Sequence, residues 1–482
     1  MTSHAVTILV TLVFLVGACA PAPALPVVSP SPPGPSSAAR SQAPTPRPTA
    51  SPAPSPAPSP AAVSPSPGSA ILPGSVGRAS MDIEATYEVD LAVAVGTGAV
   101  SVSVVMDLRN VSGGPIDRVE LNTVAARLGD MKLRSTTVDG RAVQPGVDDQ
   151  TISVPLGGLL PEGASIKLSL AYAATLQGDL RGSDWLFSRA GDTIAMYRWI
   201  PWISRPVPFD RPNHGDPFVT SSSPRVRVRV TTDVPMVLAS PGSKPSVNGL
   251  TAAFEVANVR DVAIVLAPDF IESAGDAGGI PIRVYTRAGG LDRAAAVAQA
   301  VHAVEGIAGR LGVAYPWEAF TVAETAGGYG MESPGLIWIP SQTARANLTY
   351  LVHHETAHQW FYGLVGNDQQ GEPFADEAAA DLLARTVLGS LRASRCADSP
   401  LDRAITRYSA ACYYEVIYIQ GGNVLDDVRR RMGNAAFWAA MRGYLDDRRF
   451  GIGGTEALLK ALADGSAVDL GPLLRARFPS LY

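Results

Sequence analysis

Between about residues 81 and 272 apolar and polar positions alternate in short runs, as in Leu91-Ala-Val93-Ala-Val95, Val100-Ser-Val102-Ser-Val104, Ile166-Lys-Leu168-Ser-Leu170 and Val226-Arg-Val228-Arg-Val230. A period of two sends successive side chains to opposite faces of a pleated strand, so these runs predict half-buried β-strands. Turn formers such as Gly113-Gly114-Pro115, Asp139-Gly140 and Asn248-Gly249 separate them at short spacing, which predicts an antiparallel β domain. Arg225, Arg227 and Arg229 then share one strand face and read as a solvated surface. After about Ile280 the period changes: Leu291 to Leu311 is an Ala-rich helical stretch, Phe320 to Ala323 and Leu336 to Ile339 read as short strands, and from Ala344 the pattern is helical almost to the end. The expected architecture is α+β, with a β-rich N-terminal domain over residues 81–272 and a mainly α domain over residues 273–482.

The first eighty residues read differently. Ala5 to Ala18 is an apolar run of signal-peptide length, shorter than the ~20 residues of a membrane span. It ends in Val16-Gly17-Ala18-Cys19, which resembles the lipobox of bacterial lipoproteins and implies a lipid anchor on Cys19, with residues 1–19 as signal peptide. From Pro21 to Gly74, 18 of 54 residues are Pro, a composition that favours polyproline II over a packed core, so residues 20–80 are expected to be a disordered stalk. Signal, anchor and stalk together predict an extracytoplasmic location at the bacterial cell membrane. A net charge of -5 removes nucleic acid from the partners considered, and oligomeric state is not set by any feature of the sequence. Three Cys exclude a cysteine zinc finger; Cys396 and Cys412 are an even pair that either closes a short disulfide loop or stays as two reduced thiols.

The chemistry concentrates in one place. Of six His, three fall within His353-His354-Glu355-Thr356-Ala357-His358. His354 and His358 stand one helical turn apart on one face, the spacing two imidazoles need to hold a Zn²⁺ ion. Glu355 is placed beside them to act as a base toward a water on that ion. A catalytic zinc needs a third protein ligand, for which Glu377 on a following helix, Glu372 and Asp381 are the candidates. His353 is rotated about 100° from His354 and is expected to pack or meet solvent, while His214 and His302 lie outside any ligand spacing.

His354-Glu355-x-x-His358, with eighteen residues before Glu377, resembles the aminopeptidase N-like family of zinc metallopeptidases, the gluzincin group that includes leukotriene hydrolase. Thermolysin-like enzymes space the third ligand one residue further. His358-Gln359-Trp360-Phe361 and Gly366-Asn367-Asp368 look like the family's HQW segment and its following loop, Gly328-Tyr-Gly330-Met331-Glu332-Ser333 looks like its GAMEN motif, and Tyr418-Ile-Gln-Gly421-Gly422 looks like its Tyr-x-Lys-Gly segment.

The resemblance implies a thermolysin-like catalytic domain holding one Zn²⁺ on His354, His358 and Glu377. It further implies Glu355 as general base, Gly330, Met331 and Glu332 as the substrate-binding edge with Glu332 on the free amine, and Tyr418 as donor to the oxyanion, with Tyr413 and Tyr414 as neighbouring alternatives. Peptides are the implied substrates, and an aminopeptidase the implied activity; an endopeptidase, or a peptide-binding lipoprotein that does not cut, are the rivals. The large C-terminal helical domain of full-length relatives is expected to be lacking. Ser333 stands where the family has Asn, Phe374 and Ala378 where it has Trp and Gly, and Gln420 where it has Lys, and these departures bear on substrate specificity.

Overall fold

The computed structural model describes residues 70–209 and 218–482, so Cys19, the Pro-rich tract up to residue 69 and His214 lie outside the described residues. The alternating runs become a sheet. Ile83–Ala94 and Ala99–Asn110 pair in continuous register, with alternate residues buried along both, because every apolar position falls on the same side of the pleat. They lie inside an eight-stranded sheet, flanked on one side by Val226–Thr232, Thr251–Val256 and Ser246–Asn248 and on the other by Ser165–Thr175, Lys132–Val138 and Arg141–Ala142. One pair departs from the antiparallel expectation: Val226–Thr232 runs parallel to Ile83–Ala94. Local turn signals specify only hairpins, and the long chain between these two strands lets the second enter from the same end as the first. The arginine row sits on the solvent face of this sheet, where Arg227 meets Glu88 and Glu255 and Arg229 meets Asp90 across neighbouring strands.

A second sheet, ordered Trp202–Ile203, Ile116–Asn122, Thr151–Leu160 and Gly146–Asp148, covers the buried face. Tyr87 joins the two layers: its ring stacks on Trp202 at 4.3 Å, and its hydroxyl accepts the Ile203 N–H at 3.1 Å. The expected stalk ends earlier than residue 80. Ile71 is 1% exposed and the Leu72 backbone exchanges two hydrogen bonds with Leu159, so one buried side chain and a β-bridge fasten this stretch to the sheet. Asp117 then collects the Ser75 hydroxyl and the N–H groups of Val76, Gly77 and Arg78.

A third sheet of Val237–Ala239, Ile264–Ala267, Thr193–Met196 and Phe187–Ala190 leads to the fourth, which carries the site. That sheet is ordered Ile271–Ala277, Ile280–Thr286, Phe320–Thr325, Leu336–Pro340 and Met331–Ser333, with parallel pairs in its middle. The expected boundary at residue 272 falls inside its first strand, whose pairing with Ile280–Thr286 keeps Ile271 and Glu272 in this sheet. The described residues form one compact unit.

Helix Arg293–Leu311 begins where the Asp292 carboxylate accepts the Ala295 N–H at 3.0 Å and ends at Gly312, whose φ of +67° a side chain would resist. Ala296, Ala300 and Ala303 lie on its buried side, and the helix packs against helix Arg345–Ala357. At that seam His302 Nδ1 lies 2.8 Å from His353 Nε2, and His353 Nδ1 lies 2.7 Å from the Thr349 carbonyl. His353 therefore packs and is fully shielded from solvent, and burial pushes its imidazole down to about 4. The helices Ala379–Leu388, Gly421–Met432, Asn434–Asp447, Thr455–Asp464 and Gly471–Arg477 complete the layer. Between residues 389 and 413 the helical expectation fails: Gly389 stops one helix at φ +70°, and a disulfide between Cys396 and Cys412 closes a loop.

The Asp117 cluster yields a test. Burial opposes ionisation of this carboxyl, but the hydrogen bonds from Ser75, Gly77, Val76 and Arg78 bring it down to about 2. A carboxyl whose folded pKa lies below its unfolded value stabilises the fold at pH above the unfolded value, and that contribution fades as pH falls through the folded one. Asp117→Asn should therefore expose residues 70–78 to limited proteolysis at neutral pH, and the wild-type segment should become equally sensitive only as the pH approaches about 2.

Candidate metal centre

Helix Arg345–Ala357 ends at the site, with His354 in its last turn and His358 at its C-cap, where the negative end of the helix dipole favours a cation. Glu377 arrives on a π-helical turn, Phe374–Ala378, that feeds helix Ala379–Leu388; such turns widen the spiral and re-aim a side chain. His354 Nε2 and His358 Nε2 are 3.3 Å apart, and Glu377 Oε2 lies 3.2 Å from the first and 3.4 Å from the second. Zinc–ligand bonds of about 2.0–2.1 Å in a tetrahedron put neighbouring ligand atoms about 3.3–3.4 Å apart. The three donors thus already stand at the separations a zinc ion would impose, and the donor set of two imidazoles and one carboxylate suits that ion.

The competing third ligands are engaged elsewhere. Asp381 accepts the Tyr350 hydroxyl at 2.6 Å and Arg385 Nε at 2.7 Å, and Glu372 accepts the Thr455 N–H at 2.7 Å. Glu377 is held well below the usual carboxylate range: burial works against it, and the hydrogen bonds and charges of His354 and His358 outweigh burial. For His358, burial favours the neutral ring, but Asp376 at 2.6 Å from Nδ1, with Glu332 and Glu377 near, raises it well above the ordinary imidazole value. An entering cation displaces a proton there, so loading weakens as pH falls.

Glu355 and the edge strand are held together by a lack of side chain. The edge strand Met331–Ser333 pairs antiparallel with Leu336–Pro340 and passes so near the helix that a Cβ on Gly330 would stand 2.2 Å from Glu355 Oε1. Gln359 fastens the same turn, accepting the Gly335 N–H at 2.8 Å and donating to the Ser333 carbonyl at 3.0 Å. Gly330, Met331, Glu332, His354, Glu355, His358, Glu377 and Tyr418 all line one cavity of about 280 Å³.

Tyr418 comes from a second π-helical turn, Tyr414–Gln420, and its ring stacks on His354 at 5.3 Å. The segment reaches the Glu377 turn because Gly421 and Gly422 have no side chains: a Cβ on the first would lie 2.6 Å from Ala378, and on the second 2.7 Å from Asp381. Burial, and next the Glu377 carboxylate, raise the Tyr418 hydroxyl well above the usual phenol range, so it is a neutral donor at any working pH. Tyr414 hydrogen-bonds Tyr350 at 3.2 Å, Tyr413 packs edge-on against Tyr418, and the Tyr418 hydroxyl meets Glu377.

Several residues the sequence reading passed over complete the site. Asp376 orients His358, and its signal was its place beside Glu377. Gln369 bonds Glu332 and Asp376 from within the Gly366–Gly371 loop. Trp185 and Arg198 come from the β-rich part, and nothing in the local sequence marks them.

His354→Ala, His358→Ala and Glu377→Ala each remove one of three donors and should abolish stoichiometric zinc, measured by metal analysis of purified protein. Glu355→Gln should keep the zinc and lose at least about 100-fold in peptide turnover. Full zinc retention in Glu377→Ala would move the third ligand elsewhere.

No protein-family model matches the chain. Among curated proteins it is similar to "Aminopeptidase 2, mitochondrial" of Saccharomyces cerevisiae, with 25% identity over 83% of this chain and 46% of that one. The chain thus spans about half the length of the curated relative it matches. Among solved structures it is similar to the M1 zinc metallopeptidase from Deinococcus radiodurans, with 20% identity, a TM-score of 0.63, and coverage of 85% of this chain and 95% of that one. A mutant of that protein bound to Tyr-Ser-Ala matches at 19% identity, TM-score 0.63, over 85% and 96% of the two chains. The chain has the fold of the M1 zinc metallopeptidases.

Proposed function

We propose that the protein is a zinc-dependent metallopeptidase that acts as an aminopeptidase on peptides. The observation that carries this reading is the placement of Glu332: a carboxylate only 7% exposed lines the same cavity as Glu355 and the three metal donors. A buried carboxylate at one end of a hydrolytic cavity suits a substrate whose cleaved bond lies one residue from a cationic amine. The similarity to an aminopeptidase and to a metallopeptidase bound to a tripeptide supports the same substrate class.

His354, His358 and Glu377 would hold the ion. When bound, zinc lowers the pKa of a coordinated water toward about 7 and polarises the scissile carbonyl. Glu355 takes the proton of the attacking water as the new C–O bond forms, and returns it to the leaving nitrogen as the C–N bond breaks. Tyr418 donates a hydrogen bond to the carbonyl oxygen as charge develops there, a contribution of about 3 kcal/mol for a preorganised donor. Glu332 fixes the amine, and the edge strand Met331–Ser333 offers its backbone to the peptide.

Acetylating the substrate's N-terminus should cost about 10- to 150-fold in kcat/KM, the equivalent of a charge-assisted contact of about 1.5–3 kcal/mol. Glu332→Ala should lose most activity on free-amine peptides and narrow that gap. Equal cleavage of blocked and free peptides by the wild type would make the enzyme an endopeptidase.

The same reading places the protein outside the cytoplasm on a lipid anchor at Cys19. Its support is the apolar run and lipobox-like ending of residues 5–19, the Pro-rich spacer that follows, and the Cys396–Cys412 disulfide, a bond that persists in oxidising compartments. Cys19→Ser should shift the protein from the membrane fraction to the soluble one or leave the precursor unprocessed. Wild-type protein recovered wholly in the medium with an unmodified N-terminus would overturn the anchor.

A further inference from the structure

Glu332 and Asp376 belong to different parts of the proposed mechanism, one to the substrate amine and the other to the orientation of His358. A single side chain touches both. Gln369 Nε2 donates to Glu332 Oε1 at 2.9 Å and to Asp376 Oδ2 at 2.8 Å, while Gln369 Oε1 accepts from Arg198 Nη2 at 2.7 Å. The four side chains are each at most 7% exposed, so water does not replace these bonds.

The direction of the amide follows from chemistry. Arg198 has only donors and the two carboxylates are acceptors, so the carbonyl end must face Arg198 and the NH₂ end must face the carboxylates. Arg198 cannot swing away from this duty. Its guanidinium lies 4.0 Å from the centre of the Phe218 ring and 5.1 Å from those of Tyr197 and Tyr362, with Asp261 at 3.7 Å. Its backbone occupies the left-handed region at φ +41°, where a non-glycine residue is held only by its surroundings; here Val124 N–H and the Thr123 hydroxyl both bond its carbonyl at 3.1 Å. Gln369 is anchored as well, its own N–H reaching the Phe218 carbonyl at 3.3 Å.

We propose that Gln369 is a positioning residue that ties the amine-binding carboxylate of Glu332 and the His358-orienting carboxylate of Asp376 into one frame whose direction Arg198 sets. Two buried carboxylates that would repel each other are separated by a neutral group that donates to both. The same contact sets the distance between the substrate amine and the metal, and hence which peptide bond lies over the ion. This rests on the aminopeptidase reading for its Glu332 half and on the ligand geometry for its Asp376 half.

Gln369→Met removes both donors at nearly constant volume, and Gln369→Glu removes them while keeping an acceptor for Arg198. Two quantities are read for each: zinc affinity by chelator competition, and the kcat/KM ratio between a free-amine peptide and its N-acetyl form. Both variants should bind zinc about 10- to 100-fold more weakly, the usual effect of removing an outer partner of a ligand, and should narrow the free-to-acetyl ratio by about tenfold. Asp376→Asn should move the first quantity alone and Glu332→Gln the second alone. The proposal is overturned if a folded Gln369 variant changes only one quantity or neither. If the wild type itself cuts free and blocked peptides alike, the aminopeptidase reading fails, and unchanged zinc affinity in the Gln369 variants then overturns the remaining half.

Discussion

The site is organised around excess buried negative charge. Glu332, Glu355, Asp376 and Glu377 surround one small cavity and its rear wall, all shielded from water or nearly so. Carboxylates in such a setting must be paired, protonated or bound to a cation. The fold supplies part of the compensation through His358 and Arg198, and the convergence of His354, His358 and Glu377 at ion-sized separations supplies a seat for the rest. Much of the surrounding architecture serves that arrangement: two π-helical turns bring Glu377 and Tyr418 inward, and a constrained arginine backbone holds a cation behind the wall.

The β-rich part contributes chemistry as well as cover. Arg198 follows the strand Thr193–Met196, and Arg260 precedes Ile264–Ala267. Arg260 is fully buried and donates to the carbonyls of Thr220, Gly363 and Gly451, which fixes the loop between His358 and Glu377; a Cβ on Gly366 would stand 2.2 Å from its guanidinium. Burial pushes this guanidinium down to about 10, still far above neutral, so it remains a cation in the middle of the molecule. Trp185 reaches the cavity itself, covering Gly328 so closely that a side chain there would meet the indole at 2.5 Å.

These contacts explain which features were legible in the sequence. His354, Glu355 and His358 share one helix, and Glu377 follows within a short stretch, so spacing alone groups the residues that the structure brings together. Period-two runs likewise marked the strands, because burial on one pleat face leaves its trace residue by residue. The parallel pairing of Val226–Thr232, the docking of Ile71, the His302–His353 contact and the Arg198–Gln369 bond leave no such trace. Each depends on residues far apart in the chain whose types are ordinary on their own. Of the loop over residues 389–413 only the disulfide was legible, from the even pair Cys396 and Cys412; that bond and the ion pairs of Glu415 with Arg392 and Arg395 hold the loop in a shape no periodicity encodes.

The departures from the resembled motifs have structural partners away from the substrate. Ser333 donates to Asp261 and accepts the Ala263 N–H at 3.2 Å, tying the edge strand to the β-rich part. Gln420 accepts from Arg477 Nη2 at 2.7 Å and donates to the carbonyls of Cys396 and Ala397, pinning the disulfide loop. Phe374 packs against Phe478 at 4.7 Å, and Ala378 lies under Gly421. None of the four lines the cavity, so the expectation that they alter specificity has no direct contact behind it. Among the described residues the cavity wall is otherwise made by Trp185, Tyr329, Met331, Tyr350, Leu351, Tyr413 and Tyr414, and the carboxylates and imidazoles it presents are those of Glu332, Glu355, Glu377, His354 and His358. On the proposed aminopeptidase function, selectivity for the first side chain comes from the shape and apolar surface of those residues, while the charged groups behind them fix where the backbone lies.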